Sequence, residues 1–496
     1  MSTPVMSPTI EISASARESG NPIDGPTLPT KASNLPPAVS EGPPLVLISG
    51  AGLAGLFLAL LLEKADIPYQ IFERAKEVLP LGSVMSLSCS IFPAFEQLGL
   101  YEDLIKISYP GYCCAFLTSD LKKIGEYTAD DDKEITGYDR ILFSRPEFYQ
   151  LLRSRVPAHK IHLSKKVLSF QQNKDGVMVR LQDGTNVHGD VLVGADGAHS
   201  AVRQHLYKEL AAQGKLPQSD TREMLKGYIC MVGTTDPLDP AKYLGLDAPR
   251  SDCNLFIGNS TSPFAWSTFT VPGNKICWNV VLQLDVSASE DEQFRNSEWS
   301  SDANRKMINS VCHFKTTYGT MGDLFDSTPE EQISRVFLED ILYETWNCSR
   351  TVIIGDAAHK LLPSTGQGAI NAMQDAVILA NCLYELKPLT YEGIQAALKD
   401  YRDQRYQHVK VQYEASQLAA KLQYGHTWLE RVLRHVVFNY MPKSMQKKQI
   451  IKESQYRPQA SFLPQTPNRG TGSVMPQKHS RRYMEEQAQQ ALAEAV

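Results

Sequence analysis

The sequence predicts an α/β protein: one discontinuous domain of parallel strands and helices, a mainly antiparallel β-sheet inserted into it, and a helical segment after it. Three observations carry this. The run Leu45-Val46-Leu47-Ile48 passes through Gly50-Ala51-Gly52-Leu53-Ala54-Gly55 into an apolar stretch reaching Leu60, which reads as strand, tight turn and buried helix. Two later segments, Gly194-Ala195-Asp196-Gly197-Ala198-His199-Ser200 and Gly355-Asp356-Ala357-Ala358-His359 running on to Gly366-Gln367-Gly368, follow β-branched runs in the same way. Between them, residues 225–285 turn to short aromatic and β-branched runs that suit a separate antiparallel sheet.

Each part of the first segment has a physical task. Gly50 permits the turn, Gly52 lets the backbone approach a pyrophosphate, and Gly55 allows close packing of helix on strand. The helix start adds unpaired N–H groups and a positive dipole end. Glu73 closes the next strand, Tyr69-Gln70-Ile71-Phe72, where a carboxylate accepts hydrogen bonds from ribose hydroxyls. Glycine spacing alone is a weak signal, since glycines punctuate ordinary turns, but strand, helix and acid together describe a Rossmann-like dinucleotide site. The order and wide separation of the three segments point to FAD.

At 496 residues the chain exceeds the roughly 250–300 residues of one core, so two packed domains plus tails are expected. A net charge of -5 gives no global reason to bind nucleic acid or an anionic membrane. Nine cysteines with no Cys-x-x-Cys pair argue against a disulfide framework or a thiolate metal site, and suit reduced thiols in a cytoplasmic setting. Residues 1–43 are rich in Ser, Thr and Pro and lack aromatic side chains, so a disordered tail without a signal-peptide pattern is expected. Residues 42–62 carry no charge and reach the length of a membrane span. Ser49 and the glycines at 42, 50, 52 and 55 divide that stretch instead into a buried strand and a buried helix.

Further along, a helix is expected around Phe92–Leu98, stopped by Gly99, and another over 144–155 with Ser144 as cap and Pro146 in its first turn. Arg145 at that helix start is either a ligand contact or a solvated arginine. The alternation from Val177, the Asp183-Gly184 turn and Val191-Leu192-Val193 deliver the chain to Gly194. Ser200 can cap a helix bearing Arg203, which reads equally as a structural partner or a ligand contact. Thr351-Val352-Ile353-Ile354 is a parallel-type strand, and the loop from Leu361 feeds a helix over Ala369–Leu383. Residues 428–452 are helical and basic, with Arg431, Arg434, Lys443, Lys447, Lys448 and Lys452; they read as a capping helix with a solvated basic face, a peripheral membrane contact being the alternative. The expected organisation is a dinucleotide domain at 44–224 and 345–420, an inserted domain at 225–344 with part of 110–140, and a helical segment and tail at 421–496.

Taken together, the segments resemble the class A FAD-dependent monooxygenases, the group typified by 4-hydroxybenzoate hydroxylase and shared by fungal enzymes of specialised metabolism, over roughly residues 44–420. The resemblance implies a Rossmann-like FAD-binding domain, an inserted antiparallel substrate domain, FAD as cofactor, and NADPH or NADH with O2 as co-substrates. It implies hydroxylation or epoxidation of a hydrophobic small molecule. By it, Gly50, Gly52 and Gly55 hold the pyrophosphate, Glu73 the adenosine ribose, and Arg145 reaches the cofactor. Asp196 and Gly197 match the family Asp-Gly motif, and Asp356 the acid at the ribityl or pyrophosphate region. Pro363, Gly366, Gln367, Gly368 and Ala369 match the loop and helix start beside the flavin ring. Tyr228 matches a position proposed as catalytic in the fungal branch, with a packed strand tyrosine as its alternative. The stretch from Gly82 to Ser86 departs from the family by lacking a second glycine.

The bound flavin would carry the redox chemistry while the protein supplies placement and a dry cavity, for which Trp266, Phe269 and Trp278 are candidate wall residues or ordinary core. A halogenase would carry two tryptophans two residues apart, and the five here, at 266, 278, 299, 346 and 428, are never so spaced. A flavin reductase or dehydrogenase of related fold, and a non-catalytic flavin-binding protein, are the competing readings.

Overall fold

The computed structural model describes residues 42–77, 82–128, 131–258, 264–284, 301–424, 428–440 and 442–494. The tail expected at 1–43 lies outside them up to residue 41. Strand Val46–Ser49 is fully buried, as its unbroken apolar character requires. It sits within a six-stranded sheet ordered Asn347–Cys348, Thr351–Ile353, Val191–Gly194, Val46–Ser49, Tyr69–Phe72, Ile161–His162. All neighbours are parallel except the edge pair Asn347–Cys348 with Thr351–Ile353. The chain enters this sheet at its middle, builds to one side, then returns and builds to the other. The switch point therefore falls between Val46–Ser49 and Val191–Gly194, and there a doubly wound sheet opens a crevice beyond its carboxyl edge.

The second sheet runs His359–Lys360, Ser334–Leu342, Leu225–Thr234, Lys275–Gln283, Phe264–Val271, Ser251–Ile257, Tyr109–Thr118, Ile141–Ser144, Val84–Leu87, with Lys123–Thr128 beside Tyr109–Thr118. Only Ser251–Ile257 with Tyr109–Thr118 is a parallel pair. The sheet also recruits Val84–Leu87 and Ile141–Ser144, from the stretch expected in the dinucleotide domain. Four-residue runs fit either sheet, and only tertiary pairing chooses.

Strand alternation gives this sheet two different faces. Ile229, Met231, Phe256, Trp266, Trp278 and Val280 bury against Met307, Val311, Met321, Leu324 and Phe325 of two short helices. Trp266 Nε1 donates to Lys315 O at 2.9 Å and Trp278 Nε1 to Thr328 Oγ1 at 2.9 Å, so both tryptophans are core. Tyr228, Cys230, Val232, Val281 and Leu338 form the other face and meet Leu362, Ala420 and Tyr424.

Residues 421–496 differ from the expected helix and tail. Helices Trp428–Tyr440 and Lys443–Ser454 are followed by residues 455–480 without helix, and then by helix Arg481–Glu494. Ala460 is fully buried, and Arg457 and Gln459 nearly so. Gln97 both donates to Ala460 O at 3.0 Å and accepts from Ala460 N at 2.8 Å. Asn381 does the same for Gln459 O and Ser461 N, at 2.9 and 2.8 Å. An extended strap held by side-chain amides has no period, so nothing in its sequence distinguishes it from a tail.

The strap also creates a pH dependence. Tyr456 stacks on His408 with ring centroids 4.1 Å apart. Burial, then the Arg405 charge, push the His408 pKa down from 6.5 to about 3. The fold thus holds His408 neutral, and that contribution is complete above pH 6.5 and lost as the pH falls toward 3. Unfolding free energy is expected to drop by up to about 1.4 kcal/mol per pH unit below pH 6.5 from this group. Denaturant titrations from pH 7 to 5 check this, because His408→Phe should flatten the slope; equal slopes in parent and variant would refute it.

Candidate cofactor crevice and active site

The three glycine-bearing segments leave the carboxyl ends of three adjacent strands. Ser49 is in register with Gly194, and Gly194 with Ile353. Ala195 N donates to Ser49 O at 2.8 Å, and Ile354 N to Gly194 O at 3.0 Å. Gly50 has φ +103°, and a Cβ there would lie 2.5 Å from Ala195 O. A Cβ on Gly55 would lie 2.1 Å from Gly50 O. A Cβ on Gly355, at φ +59°, would lie 3.1 Å from Ala372 Cβ and 3.4 Å from Ala54 Cβ, on the two packed helices Gly368–Tyr384 and Leu53–Lys64. Buried Arg203 links the second segment to the third, donating to Ala198 O at 2.6 Å and Ala357 O at 2.9 Å. Its role is structural, exercised through carbonyls.

Other glycines face open space. A Cβ on Gly52, Gly197, Gly366 or Gly368 would meet no protein atom within 4 Å. Helix Leu53–Lys64 starts at Gly52 and helix Gly368–Tyr384 at Gln367, and neither start has a side-chain cap. Their first-turn N–H groups, those of Gly368 and Ala369 included, have no intrahelical acceptor. Asp196 Oδ2 accepts from Ala201 N at 2.8 Å and Val202 N at 3.3 Å, while its buried Oδ1 has no hydrogen-bond partner. Burial raises the Asp196 pKa against those bonds. Uncapped donors and an orphaned acceptor along one edge of the sheet fit a ligand carrying both phosphate and hydroxyl groups.

The remaining candidates border this edge. Glu73 Oε2 accepts from Ala51 N and Oε1 from Ala75 N, both at 2.9 Å, tying the second strand to the first turn. Each oxygen retains a lone pair for a hydroxyl. Arg145 N donates to Ser83 O at 2.8 Å, and the side chain covers Gly82 so closely that a Cβ there would lie 2.7 Å from Arg145 Cδ. Burial lowers the Arg145 pKa and the Asp356 carboxylate opposes that. Asp356 itself is exposed. Tyr228 lies apart from these groups on the second sheet, with its ring 5.5 Å from that of Tyr424. Burial, reinforced by Glu430 and Asp340, raises its pKa and keeps its hydroxyl protonated.

Beneath the crevice lies a charged network that sequence reading missed. Asp375 Oδ2 accepts from Gly355 N at 2.9 Å and lies 2.6 Å from His359 Nε2, while Oδ1 accepts from Arg405 Nε at 2.7 Å. Arg405 also donates to Gln374 Oε1 at 3.1 Å and Asn371 Oδ1 at 2.9 Å, and Gln374 donates to Ser90 O at 3.0 Å. Burial would raise the Asp375 pKa, but His359 and Arg405 outweigh it and hold it at about 2. One carboxylate thus fixes the Gly355-Asp356 turn to two helices. The available signal was a lone acid in the otherwise uncharged helix Gly368–Tyr384.

A doubly wound sheet with an open switch-point crevice, joined to a largely antiparallel sheet, defines a dinucleotide-binding α/β protein. The chain belongs to the FAD binding domain family, matching it over residues 45–232 and 270–416, and FAD is its cofactor. It is 29% identical over 441 residues to FAD-dependent monooxygenase ausM of Aspergillus calidoustus, covering 86% of this chain and 90% of that protein. It is 27% identical over 455 residues to FAD-dependent monooxygenase atmM of Aspergillus flavus, covering 88% and 90%. Klebsiella pneumoniae HpxO complexed with FAD and uric acid shares the fold with a TM-score of 0.67 and 20% identity, over 84% of this chain and 97% of that one. A salicylate hydroxylase substrate complex does so with a TM-score of 0.60 and 21% identity, over 84% and 98%.

Proposed function

We propose that the protein is an FAD-dependent monooxygenase that uses NADPH or NADH and O2 to hydroxylate or epoxidise a hydrophobic small molecule of specialised metabolism. The observation that carries this is the meeting of three glycine-bearing segments at one switch point, with Leu362 of the loop before Gly366 packed on the largely apolar face of the second sheet. Bound FAD supplies electron transfer and oxygen activation; the chain supplies placement and electrostatics. Gly52 and the first-turn N–H groups of Leu53–Lys64 receive the pyrophosphate, with Gly50 and Gly55 shaping that turn. Glu73 accepts from the adenosine ribose, and Asp196 Oδ1, presented by the Gly197 turn, from another hydroxyl. Arg145 and Asp356 hold opposite charges at the ribityl–pyrophosphate region.

The N–H groups of Gly368 and Ala369, after the open turn at Gly366, would offer a positive dipole end to the flavin ring and favour its negatively charged reduced form. Tyr228 donates its retained proton to a substrate oxygen from the largely apolar face. That face carries Cys230, Val232, Val281 and Leu338, with the Asp340 carboxylate held by Gln417 at its edge, so it favours a largely apolar substrate.

The test is a screen of the holoprotein for compounds that accelerate NADPH-driven flavin reduction, followed by mass analysis under labelled oxygen. One labelled atom per product molecule is expected. Product formed without label would assign the chain to the reductases or dehydrogenases of related fold.

A further inference from the structure

Helix Trp428–Tyr440 is inside out for a helix that caps a protein in water. Leu429, Val432, Leu433, Val436 and Tyr440 are 61%, 52%, 43%, 48% and 69% exposed. Their spacing of i, i+3, i+4, i+7 and i+11 puts them on a single stripe. Arg434, on the opposite side, is 5% exposed. A helix whose only surroundings are protein and water turns the other way, because burying the stripe is what stabilises its attachment. On the next helix, Lys443–Ser454, Met445 is exposed as well, together with Lys448 and Lys452. The expected solvated basic face is thus an apolar face with a basic flank.

We propose that this surface docks on an anionic lipid bilayer, with helix Trp428–Tyr440 lying in the interface. No described helix is long and apolar enough to cross a membrane, so the contact is with one leaflet. Charge complementarity selects the occupant: of the six Lys or Arg in residues 428–452, Lys448 and Lys452 are exposed, whereas Arg434 is buried and Lys447 pairs with Asp131 at 3.2 Å, and the acids nearby are Glu430 and Glu453. Anionic headgroups would neutralise Lys448 and Lys452 while the apolar stripe enters the interface.

The helix packs along Lys123–Thr128 of the second sheet and follows closely in sequence on Tyr424, whose ring lies 5.5 Å from that of Tyr228. Docking therefore sets the bilayer beside the largely apolar face of that sheet. A substrate dissolved in lipid reaches that face without crossing bulk water. The docking itself does not depend on the oxygenation reading.

The test is co-sedimentation of the full-length holoprotein with vesicles of phosphatidylcholine and phosphatidylserine, and with phosphatidylcholine alone. Binding to the anionic vesicles is expected to be about tenfold tighter or more, and to weaken as salt is raised. Val432→Glu with Val436→Glu should abolish sedimentation while leaving flavin content and melting temperature unchanged. Lys448→Glu with Lys452→Glu should remove the preference for phosphatidylserine. The proposal is overturned if the parent ignores both vesicle types, if the Val432/Val436 variant sediments like the parent, or if the face proves to hold a dimer that ignores vesicles. None of these results bears on oxygen incorporation, which is read separately.

Discussion

Replacing Asp375 with Ala is expected to cost about 3–5 kcal/mol of stability, the range for breaking a buried ion pair from one side, and to empty the protein of flavin. Asp375, His359, Asn371, Gln374 and Arg405 are each at most 1% exposed, so water cannot replace the lost carboxylate. Arg405 would be left as a buried charge with amide partners and the Tyr456 ring but no counter-ion, and Gly355 N would lose its acceptor. The Gly355-Asp356 turn would then be free to move away from Arg145. Denaturant unfolding combined with the flavin-to-protein absorbance ratio checks both parts; a parent-like midpoint with full flavin occupancy would contradict them. The network has its own acid limit. Because the folded carboxyl sits at about 2 against an ordinary 3.8, its contribution is complete above about pH 4 and lost as the pH falls through about 2.

The second large effect separates two glycines of one turn. Gly55→Val should destabilise the fold by about 3 kcal/mol or more, since its Cβ would meet a backbone carbonyl at 2.1 Å and that atom has nowhere to move. Gly52→Val should leave the apoprotein within about 1 kcal/mol of the parent, as its Cβ meets no protein atom within 4 Å. FAD affinity should nonetheless fall by about tenfold or more, because the side chain fills the approach to the uncapped helix start. Unfolding of the apoproteins and flavin titration measure the two effects separately. Parent-like FAD binding by Gly52→Val would place the crevice elsewhere.

Much of the crevice was legible because its parts are local. Gly50, Gly55 and Gly355 answer to the stereochemistry of a turn or to one close approach, and a few neighbouring residues announce them. Arg203 was ambiguous for the opposite reason: its acceptors are carbonyls of Ala198 and Ala357, and the second is 154 residues away. Arg405 shares the buried stripe Ile394, Leu398, Tyr401, Val409 of its helix, a pattern that marks it as buried but names no partner. Trp266 and Trp278 were open between cavity wall and core, since alternation puts them on one face without saying what covers it.

By itself the sequence determined the strand–turn–helix units, the places where only glycine fits, the acids at strand ends and the helical, basic character of residues 428–452. These follow from backbone geometry and from hydrophobic period, which act over a few residues. The tertiary structure alone decided that Asp375 joins His359 to Arg405, that residues 455–480 become a strap anchored by the buried stretch 457–460, and that helix Trp428–Tyr440 turns its apolar stripe outward. Those outcomes depend on which distant groups are removed from water together, and burial energy belongs to the assembled neighbours rather than to any one segment.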